Sequence, residues 1–155
     1  MSSQFIQGAG DGLLGLAWGS INTVTPTPVQ TPIENMISED DIPQNAELFT
    51  AKLGSWRDAN EPDKGESFYT FGFIDQATVT ASGQKIAYTP VDNSQGFWMF
   101  DSTSATVNGK TIAQSGNTAI ADTGTTLALV SDATCQAIYN AIPGSTYDKT
   151  QQVSI

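Results

Sequence analysis

From residue 46 to residue 122 the chain runs in short stretches of Phe, Tyr, Thr, Val and Leu, each cut off by Gly, Pro, Asn or Asp. Runs of that length and composition, bounded by turn residues, form strands and leave little room for long helices. Residues 46–53 and 66–74 are separated by the turn-rich Asp58-Ala-Asn-Glu-Pro-Asp-Lys-Gly65, and further strands are expected over 85–91, 96–107 and 117–122. Asn108-Gly109 signals a two-residue hairpin, because both residue types accept positive φ. Two helices are expected beside these strands. Thr31 caps the first, with Pro32 at its first position and Glu34 placed to close a capping box; it should end before Pro43. Ser131 caps the second, whose apolar positions Cys135, Ile138, Tyr139 and Ile142 follow helical spacing until Pro143-Gly144 stops it. Pro26 and Pro28 rule out a helix over Thr23-Val-Thr-Pro-Thr-Pro28. The expected class is mostly β, about seven strands with two short helices.

Composition narrows the chemistry. The 155 residues hold six Lys and Arg against sixteen Asp and Glu, a net charge of −10, with 19 Thr and 14 Ser supplying an uncharged hydroxyl surface. A chain so acidic, with Arg57 as its one arginine, is a poor ligand for a polyphosphate, so no nucleic-acid partner is expected. No apolar run reaches the ~20 residues of a membrane span, so no membrane is expected either. The opening Met1-Ser-Ser-Gln-Phe-Ile-Gln has no basic start and reads as no signal peptide. There is no His, which removes Ser-His-Asp and Cys-His catalysis and His-ligated zinc. Cys135 is alone and cannot form an internal disulfide or a thiolate cluster. Carboxylate chemistry is what remains, and no cofactor or metal is expected. The charge balance suits an acid setting: with every carboxylate protonated few charges remain to repel, so charge-driven acid unfolding should be mild. An acidic, soluble surface without any pH meaning accounts for the same composition. Nine of the acids, against three bases, fall within residues 34–66, where a solvated face is the plainest reading.

The informative segment is Ala119-Ile120-Ala121-Asp122-Thr123-Gly124-Thr125-Thr126-Leu127. An apolar strand runs into an acid and then into a turn of small residues. A carboxylate there is expected at a strand end, partly shielded. Gly124 lets its backbone N–H approach one carboxylate oxygen, and Thr125 offers a hydroxyl to the other. Such bonds favour the ionised form and fix its orientation. An ordinary Asp-initiated β-turn would look the same on these residues alone.

Four segments in order carry a resemblance over nearly the whole chain: Asp11-Gly12-Leu13-Leu14-Gly15-Leu16-Ala17, Phe71-Gly72-Phe73-Ile74-Asp75, Val91-Asp92-Asn93-Ser94-Gln95-Gly96-Phe97-Trp98, and Ile120-Ala-Asp-Thr-Gly-Thr-Thr-Leu127. Together they resemble the pepsin-like aspartic endopeptidases, most closely the fungal penicillopepsin- and aspergillopepsin-like branch. The resemblance implies a partial bilobal acid-protease fold: residues 1–92 as the C-terminal part of the N-lobe with the crossover strands, and 93–155 as the start of the C-lobe. It implies that Asp122 is one of two aspartates that share a proton and activate a water against a peptide carbonyl. Thr123 then takes the place of the threonine that hydrogen-bonds across the lobes, and Gly124 and Thr125 hold the carboxylate. Ile120 and Leu13 become candidate walls of substrate pockets, although both suit plain core. Protein or peptide substrates, a monomeric full-length enzyme, and a secreted or vacuolar location follow from the same resemblance.

The sequence departs from that pattern in having one Asp-Thr-Gly. The other catalytic loop and the tyrosine-bearing flap are expected upstream of residue 1, and roughly a C-terminal third is expected beyond residue 155. Leu13-Leu14-Gly15 resembles the strand that supports the missing loop. The expectation is therefore an internal fragment or truncated gene product, Met1 being an internal methionine, inactive and aggregation-prone in isolation. Two other readings stand beside it: a homodimer that pairs two copies of Asp122, and a non-catalytic peptide-binding relative with Trp18, Trp56 and Trp98 on a ligand surface. Gly10-x-Gly12-x-x-Gly15 matches a dinucleotide fingerprint in letters but lacks the strand before it and the helix after it. Cys135 fits a buried helix position, or a disulfide to a segment outside this stretch.

Overall fold

The computed structural model describes residues 3–151 and the backbone of Val153 and Ser154. Strands are the main organising elements, joined by short helices. Two compact units are present: residues 1–88 with 94–96, and residues 89–93 with 97–155.

In the first unit, α1 covers Ser3–Gln7 and α2 covers Pro32–Ser38. The capping box of α2 forms in full: the Glu34 N–H donates to Thr31 Oγ1 (3.3 Å) and the Thr31 N–H donates to Glu34 Oε1 (3.1 Å). Both N–H groups would otherwise lack an intrahelical partner. Thr31→Ala is expected to destabilise α2 by about 1 kcal/mol. Faster amide exchange over residues 32–38 would register it.

Strands β1 (Phe49–Lys52) and β2 (Phe68–Phe71) pair antiparallel, Thr50 opposite Thr70. Their hydroxyls lie 2.5 Å apart, and Thr70 Oγ1 donates to the Phe73 carbonyl at 2.6 Å. A hydroxyl has one proton, so Thr50 is the donor of the pair and the chain of bonds runs Thr50 to Thr70 to Phe73. Phe49 stacks on Phe71 across the ladder, with centroids 6.2 Å apart. The loop between the strands is held by Lys52 Nζ on Asp63 Oδ2 at 2.6 Å. A third helix, α3 (Gln76–Ser82), follows at once. Its Thr and Val are poor helix formers, but Asp75 accepts from the Thr78 N–H (3.0 Å) and Gly83 closes the other end in the left-handed region.

In the second unit, β3 (Met99–Asp101) pairs with β6 (Thr118–Ile120). Between them lies the hairpin of β4 (Ser104–Val107) and β5 (Lys110–Ala113). Its turn is Asn108-Gly109, with φ of 50° and 77°. Helix α4 covers Asp132–Asn140, capped by Ser131, whose Oγ accepts from the Thr134 N–H at 3.2 Å. Tyr147–Asp148 and Val153–Ser154 make β7 and β8.

The described residues thus hold eight strands and four α-helices, where about seven strands and two helices are expected; α1 and α3 are the additions. No strand forms over 85–91. A strand needs a partner, none of the described residues pairs with this stretch, and Pro90 has no N–H to donate. Core is thin. The buried apolar side chains among the described residues are Ile42 in the first unit and Met99 in the second. Among the described residues no helix is long and apolar enough to cross a membrane.

Candidate active site

Asp122 is placed by the β3–β6 ladder. Met99 opposes Ile120, and the Ala121 N–H donates to the Trp98 carbonyl at 3.0 Å, so pairing persists to the residue before the acid. The chain then turns. Gly124 N–H donates to Asp122 Oδ1 at 2.9 Å, and Thr125 Oγ1 donates to Asp122 Oδ2 at 2.5 Å. Each oxygen therefore accepts one bond from within its own loop and keeps lone pairs for a further partner. A Cβ on Gly124 would lie 3.2 Å from Oδ1, which explains why the smallest residue stands there.

The two bonds hold the Asp122 carboxyl below its ordinary value of 3.8, the Thr125 hydroxyl contributing most and the Gly124 N–H next. Both favour the charged form. A depressed value in the folded state contributes stability above the ordinary carboxylate range, and that contribution disappears as pH falls through the depressed value. Asp75, through Thr78, and Asp63, through Lys52, are lowered in the same sense. All three therefore act against stability in acid, opposite in sign to the protection expected from the low count of basic residues. Thr125→Val is expected to raise the Asp122 value toward the ordinary one. Titration of its carboxyl carbon resonance would measure the shift.

The carboxylate is exposed rather than partly shielded. The reason is geometric: the ladder ends one residue earlier, and the loop turns the side chain outward. It opens on a hollow of about 1040 Å³, which Thr125, Ile120, Leu127, Leu129 and Ile138 also line. Asp122 is the one acid among the described lining residues. Ile120 thus shares a surface with Asp122, while Thr123 is exposed and outside the lining. Leu13 lies in the first unit, in an irregular stretch and 75% exposed. The glycines at 10, 12 and 15 face open space, and no helix begins at Gly15. Sequence reasoning missed Leu127 and Leu129 as walls; their alternate spacing after the turn was the available signal. It placed Ile138 on the apolar face of α4 without connecting that face to Asp122. Cys135 is a free, half-buried thiol. Trp56 is exposed beneath Arg57, whereas Trp18 and Trp98 are half-buried.

The strand thus delivers Asp-Thr-Gly-Thr into a loop that bonds its own carboxylate beside a mainly apolar hollow. The family model described as eukaryotic aspartyl protease matches residues 1–155, and the chain belongs to that family. It is 42% identical over 152 residues to aspergillopepsin-1 of Aspergillus oryzae, covering 97% of this chain and 35% of that protein. Penicillopepsin-1 of Talaromyces stipitatus is 41% identical over 156 residues, with the same coverage. Penicillopepsin-3 of Penicillium janthinellum is 38% identical over 150 residues, 97% of this chain and 34% of that protein. The chain spans about a third of the length of the curated relatives it matches.

Proposed function

We propose that this chain carries one half of the catalytic centre of an acid endopeptidase, with Asp122 as one of two carboxylates that activate a water against a peptide bond. The observation that carries the reading is the Asp122 loop: both oxygens are oriented by Gly124 and Thr125, yet the group faces an open hollow that holds no second acid among the described residues. An oriented, ionised carboxylate is a competent base toward water. It does not also supply the acid that the leaving amine needs. A second carboxylate brought close would raise the proton affinity of one member and divide the roles of base and acid between them.

On this reading the partner aspartate lies in polypeptide outside these residues. Residues 1–92 and 93–155 belong to two lobes, and Thr123 is part of the loop that carries Asp122. Ile120 and Leu13 contribute to pockets on either side of the scissile bond. Thr125 and Gly124 act by positioning Asp122. The substrate is a peptide or protein, the complete enzyme is a monomer, and it works in a secreted or vacuolar compartment.

The test is to graft residues 1–155 in place of the matching segment of aspergillopepsin-1 and to assay peptide hydrolysis in acid. Activity in the graft together with inactivity of the isolated chain is the expected pair of results. A folded but inactive graft would overturn the reading. So would activity of the isolated chain that rises with its concentration, which would instead pair two copies of Asp122.

A further inference from the structure

We propose that Asn108-Gly109 is a deamidation site, and that its conversion releases the β4–β5 hairpin from the end of α4. The chain has eight asparagines, and Asn108 is the one followed by glycine. The pair is the exposed two-residue loop of the hairpin, between Val107 and its ladder partner Lys110. A Cβ at Gly109 would meet nothing within 4 Å, and Gly109 has no side chain to hinder its own nitrogen.

The chemistry needs only water. The Gly109 backbone nitrogen, giving up its proton, attacks the Asn108 side-chain carbonyl carbon. A C–N bond forms, the amide C–N bond breaks, and the nitrogen leaves as ammonia. Water then opens the five-membered imide at either carbonyl, which yields aspartate or isoaspartate and one added negative charge.

The structure gives that charge a consequence. Asn108 Nδ2 donates to the Ala141 carbonyl at 3.1 Å, and Ala141 is the C-cap of α4. Carbonyls at a helix C-terminus lack intrahelical donors and carry partial negative charge. The Asn108 amide satisfies one of them. A carboxylate at residue 108 has no proton to offer and is repelled by the same carbonyl. Isoaspartate also lengthens the main chain inside a loop whose length sets the register of the hairpin. A second side-chain tie near the hairpin runs from Thr134 Oγ1 to Oε1 of Gln114, the residue after β5, at 3.2 Å.

The full chain would be incubated at mildly alkaline pH, which favours loss of the Gly109 amide proton, and followed by peptide mapping that separates aspartate from isoaspartate. Asn108 is expected to convert ahead of every other asparagine, and Asn108→Gln to suppress the added charge. Asn108→Asp keeps a residue that supports this turn, so the hairpin should survive. Amide exchange over 104–113 and in the last turn of α4 should nonetheless accelerate. The proposal fails if Asn108 stays intact over a time in which an unstructured peptide of the same sequence converts. It fails equally if Asn108→Asp leaves exchange in both segments unchanged.

Discussion

Asp122→Asn in the grafted protease is expected to lower kcat by about 10²–10⁴-fold, the range for loss of a positioned acid or base, with a much smaller change in KM. Asparagine matches aspartate in shape. Its carbonyl oxygen can still accept from the Gly124 N–H, and the Thr125 hydroxyl can reverse and accept from the new amide. The loop therefore keeps its form while the negative charge disappears. A loss in kcat then reports the chemistry rather than the fold. Asp101, an exposed acid of β3 away from the lining of the hollow, is the control: Asp101→Asn should leave kcat unchanged. Retained activity in Asp122→Asn would remove Asp122 from the mechanism.

A large loss of stability is expected from Gly72→Ala, roughly 2–5 kcal/mol when the left-handed backbone and the overpacking are taken together. Gly72 has φ 79°, and an added Cβ would stand 2.9 Å from Ile42 Cγ2 and 3.2 Å from Pro43 Cδ. Ile42 is the buried apolar side chain of its unit among the described residues, so the neighbour that would have to yield is the one the unit packs around. The backbone there is also committed, because the Gly72 N–H donates to the Leu48 carbonyl at 2.9 Å and continues the β1–β2 pairing. Gly83→Ala separates the two causes. Gly83 has φ 64° but nothing near its missing Cβ, so it should show the backbone cost of about 1–2 kcal/mol alone. Denaturant unfolding of both variants measures the difference. Equal losses would show that Ile42 yields freely.

The exposed apolar surface has a physical meaning of its own. Leu129 is 82% exposed at the rim of the hollow and Leu127 is 72% exposed beside it. Alternating leucines after a strand are ordinarily covered, and here they face outward together with Ile120. Surface of this kind favours association.

What the amino-acid order determined alone acts within a few residues. The Thr31–Glu34 box, the Asn108-Gly109 turn, the Ser131 cap and the two bonds on Asp122 all join groups at most three positions apart, so residue type and spacing are enough to draw them. Asp75 and Gly83 carried the same kind of signal for α3, but the β-branched residues between them masked it. Tertiary structure alone decided the rest. It joined β3 to β6 across an intervening hairpin, left residues 85–91 without a strand partner among the described residues, turned Asp122 outward, and brought Ile138 from α4 to the same hollow. Each of those outcomes depends on which distant segment occupies the neighbouring space, and burial and strand pairing are properties of that space rather than of a residue and its immediate neighbours.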